Sequence, residues 1–171
     1  MSRLVTSRLV LRPIERADIG ALDAWYTDRD VMRYIGDGHT YSSAETRICM
    51  HRYLDDAARQ GFGVMIAELR DTGEPIGRFG YMTWDVDGTN LVEIGWLVAT
   101  SHQGNGYATE AGAALRNHGF GAMGLDMLIS VIQHPNKASI RVAEKLGGEY
   151  WQDWVTPGGI GVALYRFDAP V

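Results

Sequence analysis

Between residues 62 and 100 the hydrophobic pattern repeats every two residues. The stretch FGVMIAELRDTGEPIGRFGYMTWDVDGTNLVEIGWLVAT reads as three strands, with turns at Asp71-Thr72-Gly73 and Asp87-Gly88-Thr89-Asn90. Asp-Gly and Asn-bearing tetrads supply the positive-φ residues that tight hairpins need. Three antiparallel strands with short links commit the chain to a sheet, and the remaining segments must cover its faces. Before it, RLVLRPI (8–14) alternates as a strand with Arg12 mid-face, and RADIGALDAWYTD (16–28) spaces Ile19, Leu22, Trp25 and Tyr26 as a helix. SSAETRICMHRYLDDAARQG (42–61) opens on Ser42 or Ser43 as an N-cap and stops at Gly61. After the sheet come a helix over 104–120, a buried-type strand MLISVI (127–132), and a helix over 135–148 with Asn136 near its start and Gly147 as its stop. GEYWQDWV and GIGVALYRF close as a hairpin across Thr156-Pro157-Gly158-Gly159. That order predicts a mixed α+β (α/β) fold. With 171 residues and no repeat or linker, one domain over 1–171 is expected.

Composition removes several classes of function. A net charge of −5 without a long single-sign run argues against nucleic acid as a partner. No apolar stretch approaches the roughly eighteen residues of a membrane span, and the N-terminus lacks a signal-peptide core, so a cytoplasmic protein is expected. Cys49 is the sole cysteine, and His102, His118 and His134 lack ligand-like spacing, so no disulfide and no metal are expected. Cys49, mid-helix with no nearby base, reads as packing.

Chemistry concentrates in SHQGNGYATEA (101–111), where glycines precede a helix. Bare N–H groups at the positive end of a helix dipole bind phosphate oxygens, and glycine removes the Cβ that would block them. No Lys follows Gly106, which removes a Walker A site; Thr109 stands where a dinucleotide fingerprint needs its third glycine. The residues Gln103-Gly104-Asn105-Gly106-Tyr107-Ala108 instead fit Gln/Arg-x-x-Gly-x-Gly/Ala. This resembles the coenzyme A pyrophosphate loop of the GNAT N-acetyltransferase superfamily. LVEIGWLVAT resembles that family's fourth strand, with Glu93 ten residues before Gln103, and NKASIRVAEKLGG resembles its Asn/Ser helix. SRLVLRP and GYATEA are closest to the ribosomal-protein N-acetyltransferase (RimJ/RimL-like) branch.

The resemblance implies that the fourth and fifth strands (about 91–99 and 127–132) splay apart in a central, mostly antiparallel sheet flanked by about four helices. Unpaired backbone at Leu97, Val98 and Ala99 would bind pantetheine, with Asn136 beside it. The loop Gln103, Gly104, Asn105, Gly106, Tyr107 and Ala108 would hold the diphosphate of acetyl-CoA. Glu93 is the expected base, directly or through water, a backbone N–H near Val98 the oxyanion donor, and Ser139 the acid. Tyr165, if it folds back, or water is the other candidate acid. The expected acceptor is a protein or peptide N-terminal amine, with a small amine (polyamine, amino acid or antibiotic) and a non-catalytic acyl-CoA sensor as alternatives. Loops 29–43 and 83–90 hold Asp30, Tyr34, Asp37, Tyr41 and Asp85, a mix that suits a cation, and Trp25 and Tyr26 could shape the pocket. Monomer or homodimer is left open.

Overall fold

In the computed structural model, which describes residues 2–170, the strands are β1 (Leu4–Val5), β2 (Leu9–Pro13), β3 (Val64–Leu69), β4 (Pro75–Val86), β5 (Thr89–Val98), β6 (Met127–Ile132), β7 (Glu149–Val155) and β8 (Gly161–Asp168). They form one sheet in the order β1-β2-β3-β4-β5-β6-β8-β7. Every neighbouring pair is antiparallel except β5 and β6. The α-helices are α1 (Ile19–Tyr26), α2 (Arg29–Met32), α3 (Ser43–Gln60), α4 (Tyr107–Gly121) and α5 (Lys137–Lys145).

Five helices stand where about four were expected. The extra one, α2, and the extra strand, β1, are four and two residues long, too short to carry a period. The helix expected over 16–28 begins as a 3-10 turn at Arg16–Asp18. Asp18 is held there by Arg12, whose guanidinium reaches its carboxylate at 2.6 and 2.8 Å. The helix expected from 104 starts at Tyr107, because Gly104 and Gly106 take φ of 79° and 80°. The β4–β5 turn closes on Asp87 and Gly88 alone, both at positive φ, and Thr89 and Asn90 join β5.

Helices cover both faces. Leu115 of α4 and Ala143 of α5 pack with Leu11, Phe79, Ile94 and Leu128 on one side. Leu22, Trp25, Tyr26, Met50 and Tyr53 of α1 and α3 pack with Ile66 and Leu97 on the other. A strand covered on both faces reads as an unbroken apolar run, which is why 64–67 of β3 are all buried. In β5 the two-residue alternation sends Ile94 towards α4, whereas Glu93 and Gly95 share the side of Leu97.

Candidate active site

The sheet is barely joined at its centre. Glu93 and Ile129 form the one ladder pair between β5 and β6. A continuing parallel ladder would send the Val131 N–H to the Ile94 carbonyl. Instead the Ser130 hydroxyl donates to that carbonyl at 2.7 Å, and the Val131 N–H donates to Glu93 Oε1 at 3.4 Å. Two side chains thus take over the ladder positions, and the strands part beyond them.

Strand alternation decides which backbone groups the gap receives. The Ala99 N–H donates to the Ile76 carbonyl at 2.8 Å, and Leu97 lies opposite Arg78, so both turn their amides towards β4. Val98 and Trp96 are the residues of the other parity, facing the gap. The Val98 carbonyl accepts from Gln103 Nε2 at 3.0 Å, while its N–H stays available. Of Leu97, Val98 and Ala99, only Val98 therefore presents its backbone to the opening, and Trp96 is the second such residue.

Beyond β5 the chain makes a 3-10 turn at Thr100–His102 and enters the glycine loop. Among the described residues nothing accepts from the amides of Gly104, Asn105, Gly106, Tyr107 or Ala108. A Cβ at Gly104 would meet nothing within 4 Å, and one at Gly106 only Arg8 Nη2 at 3.6 Å, so the loop's outer face is bare. Arg8 Nη1 donates to the Asn105 carbonyl at 3.0 Å, and its Nε pairs with Glu110 Oε2 at 2.7 Å. Glu110 also accepts from the Thr6 hydroxyl and the Arg8 N–H at 2.6 and 2.8 Å. Burial alone would raise the Glu110 pKa, but these donors bring it down to about 2. The SRLVLRP and GYATEA segments, distant in sequence, thus meet as a clamp on the loop.

A cleft of about 580 Å³ runs from this loop into the gap and is lined by Leu97, Val98, Gln103, Gly104, Gly106, Tyr107, Ala108, Asn136 and Ser139. Ala99 and Asn105 do not line it; the Asn105 side chain turns back to the His102 and Gln103 carbonyls at 3.1 and 3.3 Å. Asn136 caps α5, its Oδ1 accepting the Ser139 N–H at 3.1 Å. The Ser139 hydroxyl accepts from the Trp96 indole at 3.2 Å, which leaves its own O–H to donate into the cleft.

Glu93 lies deeper, 5% exposed, on the wall of two smaller cavities of about 80 and 280 Å³. The smaller shares Trp96, Asn136 and Ser139 with the large cleft. Glu93 Oε2 accepts from Trp84 Nε1 at 2.6 Å. Burial raises the Glu93 pKa, opposed by hydrogen bonds from Trp84 and Val131 and by the charge of Arg78. A Cβ at Gly95 would stand 2.9 Å from Met82 Cε and 3.4 Å from Glu93 Oε1, so a larger residue there would displace Met82 beside the carboxylate. Tyr165 is buried in the cluster under α4 and α5, against Tyr150, and lines none of these cavities.

The loop residues expected to suit a cation divide: Tyr34 and Tyr41 wall the 280 Å³ cavity, and the acids do not. Asp37 pairs with His39 Nδ1 at 2.5 Å, Asp85 accepts the Gly88 N–H in the β4–β5 turn, and Asp30 lines the large cleft. The 280 Å³ cavity is walled by Tyr26, Tyr34, Tyr41 and Tyr53, with Arg52, Arg78 and Glu93 as its charged groups. Trp25 is buried in the core beside it. Sequence reading missed Arg78, and it read Trp84 and Trp96 as core or groove wall without their hydrogen bonds to Glu93 and Ser139. Their only signal was parity: Trp96 shares the gap-facing parity of Val98, while Trp84 and Arg78 lie across from β5 on β4.

The acetyltransferase (GNAT) domain profile matches residues 8–149. The chain belongs to the GNAT acetyltransferase family. Its relatives include the uncharacterized protein YkkB of Bacillus subtilis (strain 168), 36% identical over 154 residues, covering 87% of this chain and 86% of that protein. The uncharacterized N-acetyltransferase YnaD of the same organism is 32% identical over 144 residues, covering 84% and 81%. A crystal structure of an acetyltransferase from Agrobacterium tumefaciens str. C58 superposes with a TM-score of 0.83 at 30% identity, covering 98% of this chain and 94% of that one. This GNAT N-acetyltransferase has no helix among its described residues long and apolar enough to cross a membrane, and no group of three or more His, Cys, Asp or Glu side chains placed to hold a metal ion.

Proposed function

We propose that this enzyme moves the acetyl group of acetyl-CoA onto a primary amine by direct attack on the thioester. The observation that carries the reading is the presence along one cleft of two sets of unpaired N–H groups, Val98 in the gap and residues 104–108 at the mouth of α4. Those amides suit a diphosphate at the loop and a pantetheine arm laid along β5 as an added strand. Asn136 stands beside that arm.

Glu93 takes the proton released as the amine bonds to carbon, directly or through water in the small cavity. A raised pKa brings a carboxylate closer to the proton affinity a base needs near neutrality. The Val98 N–H faces the carbonyl oxygen as it gains negative charge. Ser139 donates its hydroxyl hydrogen towards the departing sulfur, its orientation fixed by the Trp96 indole. A serine in this position, with Tyr165 packed elsewhere, supports the RimJ/RimL-like reading and with it a protein or peptide N-terminal amine as acceptor. A chamber walled by four tyrosines favours a small amine as the second reading.

Calorimetry with coenzyme A and a thiol-release screen over N-terminal peptides and small amines test the proposal together. Glu93→Gln is expected to lower kcat/KM by about 10²- to 10⁴-fold, the usual contribution of a general base. Ser139→Ala is expected to lower it by roughly ten- to a hundredfold, the worth of one hydrogen bond to charge. Both should leave coenzyme A affinity unchanged. Absence of coenzyme A binding by the intact chain refutes the reading.

A further inference from the structure

Resting on the acyl-transfer reading above, we infer that the acceptor amine carries a carboxylate, and that Arg78 receives it in the 280 Å³ chamber beside Glu93. Arg78 sits on β4, opposite Leu97, on the α1/α3 face of the sheet. It is 6% exposed, its Nε has no acceptor, and no carboxylate pairs with it among the described residues. Its guanidinium carbon lies 5.7 and 5.6 Å from the ring centroids of Tyr26 and Tyr53, and it lines both cavities that Glu93 lines.

A guanidinium stays charged at any pH a folded protein meets, so burial cannot be relieved by loss of a proton. Aromatic faces and the Tyr26 hydroxyl compensate such a charge in part, and they leave the Nε side of its N–H fork unused. Glu93 is the one acid on the wall, and Trp84 and Val131 already donate to its two oxygens. The fork matches a carboxylate in two parallel hydrogen bonds. Arg52, exposed on α3, adds a second cation to the same wall. The chamber thus offers an acid for an ammonium and cations for an anion, the complement of a zwitterion. An amino acid, one of the small amines expected as an alternative acceptor, has this pairing of charges.

Two series of acceptors separate the sources of the carboxylate: free amino acids against their primary amides, and tripeptides with Asp against Asn in second place. Thiol release from acetyl-CoA is measured with the intact chain and expressed per neutral amine, since the amide changes the amine pKa. The acid member is expected to exceed its neutral partner in kcat/KM by about tenfold or more in one series, which identifies the source. Arg78→Met is expected to bring that ratio within about twofold while coenzyme A affinity by calorimetry holds. Arg78→Lys, which keeps the charge and loses the fork, is expected to fall between, and it carries the test if Arg78→Met does not fold. Neutral members equal to or better than acids in both series, or a ratio unchanged in the variants, overturn the inference alone. Calorimetric binding of an acid member of either series, lost in Arg78→Met or weakened in Arg78→Lys, with no thiol release from any acceptor, sustains the carboxylate site and overturns the acyl-transfer reading.

Discussion

Replacing Trp84 with Phe removes one hydrogen bond from a buried carboxylate and leaves the carboxylate in place. The Trp84 indole donates to Glu93 Oε2 at 2.6 Å. A hydrogen bond to a charged group contributes about 1.5–3 kcal/mol, and about 1.4 kcal/mol corresponds to one pKa unit. Burial already raises the Glu93 pKa, and the indole opposes that rise by favouring the charged form. Losing the indole therefore moves the pKa further up, by roughly one to two units. Glu93 must be ionised to accept a proton, so the acid limb of kcat/KM moves to higher pH by the same amount, with the high-pH plateau preserved within a few-fold. Read with a weakly basic amine, the limb reports Glu93 and not the acceptor. The Glu93 carboxyl carbon resonance, assigned by its loss in Glu93→Gln, gives the same titration without any acceptor. Trp154→Phe is the control, because the Trp154 ring packs edge-on against Trp84 at 5.7 Å and makes no hydrogen bond to Glu93. An unmoved Glu93 titration in Trp84→Phe refutes the view that this bond sets its proton affinity.

Gly106→Ala strains a residue at φ 80° by about 1–2 kcal/mol and crowds the bare amides, so calorimetric coenzyme A affinity should fall by more than the thermal midpoint suggests. Ser130→Ala leaves the buried Ile94 carbonyl without its donor, and urea unfolding should show a loss of about 1–3 kcal/mol. Glu110 has a folded pKa of about 2 against an ordinary 4.5, so its stabilisation is fully present above pH 4.5 and lost as pH falls towards 2. The urea midpoint of Glu110→Ala should lie below wild type at neutral pH, and the difference should shrink steadily on acidification from pH 4.5.

Much of this was legible from periodicity. The three-strand run, a serine cap at 42 or 43, a helix start near Asn136 and the stop at Gly61 are local rules, and the structure follows them. The loop at 104–108 was legible for the same reason, since glycine next to a helix start constrains few alternatives. What stayed hidden depends on partners far along the chain. Arg78 reads as an ordinary strand arginine until α1 and α3 bury it against Tyr26 and Tyr53. The direction of each amide at Leu97, Val98 and Ala99 follows from the β4 register, which one strand alone does not state. The acids in the loops looked like an acceptor site because their turn and histidine partners are invisible in composition.

The single pair joining β5 to β6 divides the sheet into two leaves, each continuous in the chain, over residues 4–98 and 127–168. The first leaf is complete in the sequence before the second begins, and taken alone it ends at the β5 edge. Glu93 is then a carboxylate on a raw edge, without the Val131 amide or the β6 wall that makes its chamber. The surroundings proposed to make Glu93 a base therefore exist only where the two leaves meet.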